Sequence, residues 1–227
     1  MAPRIDRKNL RDVTISNNSM LKYDVDITGE PAPSVTWTLD TRTISSGKHV
    51  TITNVDYNSK LVIRDTVRED SGEYVITATN SSGKDSVTVY VNITDRPMKP
   101  EGPVKVSDVC ATGCKLKWKR PKDDGGSPIE HYLVEKLDPN TGLWVPAGKT
   151  HGAEPSIDLS NLTPGTEYEF RIKAVNEEGE SDPLYCDEKV LAKDPYGKNK
   201  ICHAVLNMKF RFIDYFDILL LRSIGAR

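Results

Sequence analysis

Arg68-Glu-Asp-Ser-Gly-Glu-Tyr-Val-Ile-Thr-Ala-Thr-Asn-Ser-Ser-Gly-Lys-Asp85 is the stretch whose reading decides the fold. Tyr74, Ile76 and Ala78 alternate with Val75, Thr77 and Thr79, the period-2 pattern of a strand with one buried face. Asn80-Ser-Ser-Gly83 supplies turn chemistry, and Val87, Val89 and Val91 alternate again as a returning strand. A β-hairpin is therefore written here, preceded by a tight turn at Asp70-x-Gly72 that places Tyr74 at the start of its strand.

Upstream, Leu21, Tyr23, Val25 and Ile27 alternate with polar neighbours as a further half-buried strand. Two prolines in Gly29-Glu-Pro-Ala-Pro33 end it, and Val35 and Trp37 follow on the next strand. D-x-G-x-Y together with G-x-P-x-P-x-V-x-W resembles an intermediate-set immunoglobulin domain. That resemblance implies a β-sandwich with Trp37 in its core and Tyr74 as the tyrosine corner, its hydroxyl bonded back to nearby backbone. It further implies that the two positions of the usual inter-sheet disulfide hold Val25 and Ile76. Such a core would rest on burial alone, at about 25 cal/mol per Å² of apolar surface, as suits a reducing compartment. Arg68 and Asp70 resemble the family's paired charges beneath the sandwich.

Between Thr94 and Gly102 the composition changes, and Pro97, Pro100 and Pro103 make a stiff, short spacer. A second alternating region follows. Leu116 and Trp118 interleave with Lys115, Lys117 and Lys119, giving an apolar inner and a basic outer face. Ile129, Tyr132 and Val134 form the next strand, and Leu162-x-Pro164-x-x-x-Tyr168 leads into Tyr168, Phe170, Ile172 and Ala174. The strand tryptophan, the D-G-G-S-P-I loop and L-x-P-x-x-x-Y resemble a fibronectin type III domain, with Tyr168 as its tyrosine corner. Y-x-V-E-K, R-x-x-A-V-N-x-x-G and A-K-D-P extend the likeness to the modules of titin, twitchin and projectin. These are giant sarcomeric proteins that string such domains beside disulfide-free immunoglobulin domains.

The expected fold class is all-β, two antiparallel β-sandwiches in tandem with a helical C-terminal tail. The expected boundaries are 1–94 for the immunoglobulin-like domain, 95–102 for the linker, 103–196 for the fibronectin type III domain and 197–227 for a tail outside the family pattern. Val25, Trp37, Tyr74, Ile76, Trp118, Tyr132 and Tyr168 are the expected core. In the tail, Val205, Met208, Phe212, Phe216 and Leu219 fall near helical spacing. Lys209, Arg211, Asp214 and Asp217 interrupt the apolar run, leaving it short of the ~20 apolar residues a membrane span requires. A spliced or mispredicted terminus, a segment docked on the second sandwich, and a membrane or partner helix are the three readings of it.

Composition excludes several function classes. The chain has 227 residues, and 31 basic against 33 acidic side chains give a net charge of −2, so nucleic acid is not an expected partner, and neither is a membrane. No phosphate-binding loop, kinase motif or H-E-x-x-H is present, and four scattered histidines suggest no catalytic group, so no enzyme is expected. Asp123-Asp124 falls short of the ligand set calcium needs and reads as turn chemistry. Cys110-x3-Cys114 and Cys202-His203 pose a zinc reading, but they lie far apart in the chain, and ordinary thiols are expected instead. No metal or cofactor is expected. The N-terminus, MAPRIDRKNL, has no apolar stretch, so no secretory signal is expected.

The resemblance implies a non-catalytic structural and protein-binding segment of a muscle thick-filament scaffold. Its partners would be myosin-associated proteins and its place the cytoplasm, in the sarcomeric A-band. Lys115, Lys117 and Lys119 are the candidate protein contact. Sequons at Asn17, Asn80, Asn92 and Asn161 support a rival, a cell-surface adhesion or receptor ectodomain fragment. The missing signal and disulfide weigh against it.

Overall fold

A computed structural model describes residues 1–195. The chain divides into two compact units, the first built on Met1–Pro97 and the second on residues from Met98 onward. Over the described residues both are all-β, apart from one 3-10 turn at Arg68–Asp70 in the first.

Nine strands form the first unit: β1 (Arg4–Ile5), β2 (Val13–Ser16), β3 (Leu21–Thr28), β4 (Ser34–Leu39), β5 (Arg42–Thr43), β6 (Val50–Val55), β7 (Asn58–Ile63), β8 (Gly72–Asn80) and β9 (Gly83–Thr94). They make two sheets, in the orders β1-β3-β7-β6 and β2-β9-β8-β4-β5. All pairings are antiparallel except β2 with β9, where Val13 to Ser16 run alongside Val91 to Thr94. The period-2 pattern decides which face is buried: every second residue of β3 (Leu21, Tyr23, Val25, Ile27) and of β8 (Tyr74, Ile76, Ala78) is sealed from water. Burying a side chain of that size contributes about 1.5–3 kcal/mol, so this inner layer dominates the stability of the unit. Gly72 opens β8 at φ +152°, and a Cβ there would meet Leu39 Cδ1 at 2.7 Å and Asp40 Oδ1 at 2.8 Å. Backbone freedom and close approach both require glycine at this turn.

Among the described residues, ten strands form the second unit: β10 (Glu101–Cys110), β11 (Gly113–Lys119), β12 (His131–Leu137), β13 (Trp144–Lys149), β14 (Ser156–Leu159), β15 (Glu167–Tyr168), β16 (Phe170–Asn176), β17 (Gly179–Glu180), β18 (Leu184–Tyr185) and β19 (Val190–Leu191). One sheet has the order β10-β11-β14; the facing one runs β13-β12-β16-β17, with β18 also on β16 and a short β15-β19 pair. Their inner faces enclose Leu116, Trp118, Tyr132, Val134, Phe170 and Ile172. At Gly113 a Cβ would collide with the Leu159 carbonyl, which lets β11 and β14 approach.

Cys114 and Cys186 are free thiols. Burial, then the neighbouring Cys186, pushes the Cys114 thiol up to about 12, so it is inert at neutral pH. Cys110 is not a free thiol, which corrects the reading of that residue. Among the described residues no helix is long and apolar enough to cross a membrane, and no cluster of potential metal ligands occurs. The helical reading of the tail, like Cys202 and His203, lies outside the described residues.

Candidate interaction surfaces

The two tyrosine positions build the ends of the two sandwiches differently. In the first unit the Tyr74 hydroxyl donates to the Asp70 carbonyl at 2.8 Å, fully buried. Asp70 itself is fixed by the Val67 N–H on Oδ2 at 2.9 Å and faces His49 Nε2 from Oδ1 at 3.2 Å. Arg68 does not pair with Asp70: its guanidinium donates to Ser71 Oγ at 2.7 Å and the Ile93 carbonyl at 3.0 Å. The expected ion pair of these two residues is thus replaced by two local anchors. Burial, then the Asp70 charge, pushes the Tyr74 phenol well above its ordinary range.

In the second unit the Tyr168 hydroxyl accepts, from the Thr163 N–H at 3.1 Å. Burial would push this phenol up, but the Thr163 donors and the Lys136 charge outweigh it and hold it below the usual tyrosine range. Lys136 Nζ lies 4.9 Å from the centre of the Tyr168 ring.

The core tryptophans differ too. Trp37 is opposite Ile76 in the β4–β8 register and stacks on Tyr23 at 6.0 Å between ring centres. Its indole N–H donates to Ser59 Oγ at 2.9 Å, and Ser59 in turn to Asn54 Oδ1 at 2.7 Å. Ser59 is opposite Val25, so Val25 and Ile76 sit on the inner faces of opposed sheets, both buried. Trp118 meets Tyr132 edge-on at 5.2 Å, and neither Trp118 Nε1 nor the Tyr132 hydroxyl has a hydrogen-bond partner among the described residues.

Lys115, Lys117 and Lys119 occupy the outer face of β11, but their charges are not equivalent. Lys115 lies opposite Asp158 and is 3.4 Å from its carboxylate. Lys119 is opposite Glu101. Lys117 is opposite Lys105, so the uncompensated positive charge gathers on that pair. Lys105 escapes a reading along the chain because it belongs to β10. Only the register brings it to Lys117.

The outer face of the β13-β12-β16 sheet carries a chain of contacts the sequence did not suggest. Glu135 accepts from Arg171 Nε at 2.6 Å and lies 3.5 Å from Lys173 Nζ, which also reaches Glu180 at 2.9 Å. Arg171 caps the Trp144 ring at 4.6 Å, and Tyr185 meets the same ring edge-on at 5.7 Å. Burial pushes the Glu135 carboxyl up, but Arg171 and Lys173 outweigh it and hold it below the ordinary glutamate range. The only signal in the sequence is Glu135 and Lys136 on one strand and Arg171 and Lys173 on another, which is indistinguishable there from a solvated charge pattern.

Among the described residues, the contacts above are those of packed sheets and their solvated faces. Comparison with known proteins defines the class of the chain. An immunoglobulin I-set domain profile matches residues 3–93, and a fibronectin type III domain profile matches residues 98–187. A crystal structure of titin domains aligns with 86% of this chain and 67% of that one, at 31% identity and a TM-score of 0.50. The Drosophila melanogaster protein named titin is 32% identical over 179 residues, covering 79% of this chain and 1% of its own length. The fast-type myosin-binding protein C of Gallus gallus is 35% identical over 173 residues, covering 75% of this chain and 15% of its own. The chain belongs to the proteins built from immunoglobulin I-set and fibronectin type III domains and is similar to titin and myosin-binding protein C, of whose length it spans a small fraction.

Proposed function

We propose that this chain is a non-catalytic spacer and docking segment of a muscle thick-filament scaffold of the twitchin, projectin or titin type, placed in the cytoplasm at the sarcomeric A-band. The observation that carries the reading is the order of modules. One I-set domain is followed directly by one fibronectin type III domain, and the likeness to a titin structure runs across both at 31% identity. Residues 1–94 and 103–196 are the two modules in this reading, with 95–102 as a proline-bearing joint. Its partners are myosin-associated proteins, held by surfaces of folded modules rather than by a pocket with converging polar groups. Antiparallel sandwiches offer such surfaces on their solvated sheet faces.

Lys115, Lys117 and Lys119, joined by Lys105, are the proposed contact on the second module. Co-sedimentation with isolated thick filaments tests both levels. Retention of the wild-type chain is expected. Reversing the three β11 lysines to glutamate should weaken it, with the difference shrinking as salt rises, because exposed charges are screened over about 8 Å at physiological ionic strength. Unchanged retention of a folded triple variant removes this surface. Failure of the wild type to be retained, or surface staining of a tagged copy in muscle cells, removes the scaffold reading itself.

A further inference from the structure

One solvated sheet face of the first unit is concave. A groove of about 490 Å³ runs beside β9, with the half-buried Val13 in its lining and Tyr90 at its edge. Tyr90 is 56% exposed although it lies within a twelve-residue strand. Gly72 also lines the groove, and its lack of a side chain lets Leu39 and Asp40 approach the strand there.

The charges in the groove have one sign. Asp12, Asp40 and Glu73 line it, and no lysine, arginine or histidine does. Neutral donors hold the three carboxylates in place: the Tyr90 N–H on Asp12 at 2.8 Å, the Glu73 N–H on Asp40 at 3.1 Å, and the Tyr90 hydroxyl on Glu73 at 3.0 Å. None of the three forms an ion pair among the described residues, although the chain carries almost as many basic as acidic side chains. Oriented carboxylates with no internal cation, beside an exposed aromatic ring and the half-buried Val13, complement an alkyl-ammonium or guanidinium group. The carboxylates attract its charge, Tyr90 receives it over the ring face, and Val13 packs against its methylenes.

We infer that this groove docks a lysine- or arginine-bearing segment of a partner protein, so that the first unit supplies an acidic contact of its own. The inference rests on the protein-binding reading above. The occupant is a cationic peptide segment because charge complementarity excludes an acidic one, and because the groove is open along the sheet rather than a closed pocket shaped for a small molecule.

The test uses the full chain and a short labelled oligo-lysine peptide, followed by fluorescence anisotropy and by amide NMR shifts. Shifts should gather at Val13, Glu73, Tyr90 and Val91. Changing Asp12→Asn, Asp40→Asn and Glu73→Gln together keeps one acceptor oxygen at each position and should weaken binding about tenfold, the sum of three modest exposed ion pairs. Tyr90→Leu should weaken it less. A control with Asp56→Asn, Glu154→Gln and Asp182→Asn has the same net charge and should bind like wild type. Equal affinity of the groove variant and this control, or shifts confined to other residues, overturns the inference. Concentration-dependent dimerisation abolished by the groove variant would place a second copy there and overturn it as well. Running the same variants on thick filaments separates the two readings. Filament retention without peptide shifts removes the groove alone, while peptide binding without retention supports the groove and removes the filament.

Discussion

Tyr74 and Tyr168 each begin the strand segment that crosses the centre of a sandwich, yet their hydroxyls work in opposite directions. Tyr74 donates to a carbonyl, and Tyr168 accepts from an N–H. A phenol is both donor and acceptor, so the same residue can close either kind of orphaned backbone group. The tryptophans repeat the contrast: the Trp37 N–H ends on Ser59, whereas Trp118 and Tyr132 each keep a buried polar atom without a hydrogen-bond partner among the described residues. The first unit therefore satisfies its core tryptophan and corner tyrosine from within, and leaves only Arg68 Nε among its described buried side-chain atoms without a hydrogen-bond partner. The second leaves some unsatisfied, and it adds a half-buried ionic chain outside, on the sheet face at Glu135.

The largest effect should come from cutting into the first core. Ile76→Ala removes a fully buried side chain beside Trp37 and should cost about 3 kcal/mol, a transfer loss plus a cavity. The first unit contains no cysteine, so reductant should leave its melting temperature unchanged in wild type and variant alike. Denaturant titration with unit-resolved hydrogen exchange checks both. A loss below about 1 kcal/mol would mean that the site collapses around the cavity and that its packing is looser than its burial suggests.

Next comes the ionic chain of the second unit. Glu135→Gln replaces a charge-assisted bond at 2.6 Å and should cost about 2 kcal/mol in that unit. The pH dependence has a definite sign. Because the folded Glu135 carboxyl titrates below its ordinary value of 4.5, its contribution is present above that pH and is lost as pH falls through the folded value. The variant should lack this part of the acid sensitivity. If wild type and variant lose stability in parallel on acidification, the chain of contacts at Glu135 contributes nothing measurable.

The two-sandwich architecture was legible because alternation is a local property. Leu21 to Ile27 and Tyr74 to Ala78 state which face is apolar without reference to the rest of the chain. What was not legible depends on register between distant strands. Lys105 reaches Lys117, Asp158 reaches Lys115, and Arg171 reaches Glu135 only after the sheets assemble. The parallel pairing of β2 with β9 is of the same kind. The direction of each tyrosine bond is subtler still, since a D-x-G-x-Y or L-x-P-x-x-x-Y pattern places the ring without saying which backbone group will face its hydroxyl.

Removing each hydroxyl should then sharpen the comparison. Tyr74→Phe leaves a buried carbonyl without this donor, and Tyr168→Phe leaves a part-buried N–H without its acceptor, each at about 1 kcal/mol. Hydrogen exchange distinguishes the two cases. The Thr163 amide should lose protection in Tyr168→Phe, whereas Tyr74→Phe frees an acceptor and should expose no new amide. Retained protection of Thr163 would mean that another acceptor takes its place.

The smallest effect, and the one most particular to the reversed polarity, lies at alkaline pH. In the first unit burial raises Tyr23 to about 12 and raises Tyr74 as well, while an unfolded tyrosine ionises near 10.0. Both contributions are complete below pH 10.0 and are lost as pH rises toward the folded values, because the unfolded chain releases its protons first. In the second unit Tyr132 is raised and behaves likewise, but Tyr168 is lowered and gives the opposite sign: its contribution is present above the unfolded value and lost below the folded one. Among these tyrosines two losses add in the first unit, while a loss and a gain oppose in the second, where the raised Cys114 and Cys186 thiols add losses of their own. Removing each tyrosine hydroxyl should therefore change the pH dependence of its unit in the opposite direction, followed by tyrosinate absorbance with exchange readout for each unit. Tyr168→Phe should remove the second unit's gain as pH rises toward 10.0, and Tyr74→Phe should make the first unit's loss above 10.0 shallower. If Tyr168→Phe leaves the pH dependence of the second unit unchanged, the Thr163 bond does not hold the Tyr168 phenolate, and the reversal of polarity has no energetic consequence.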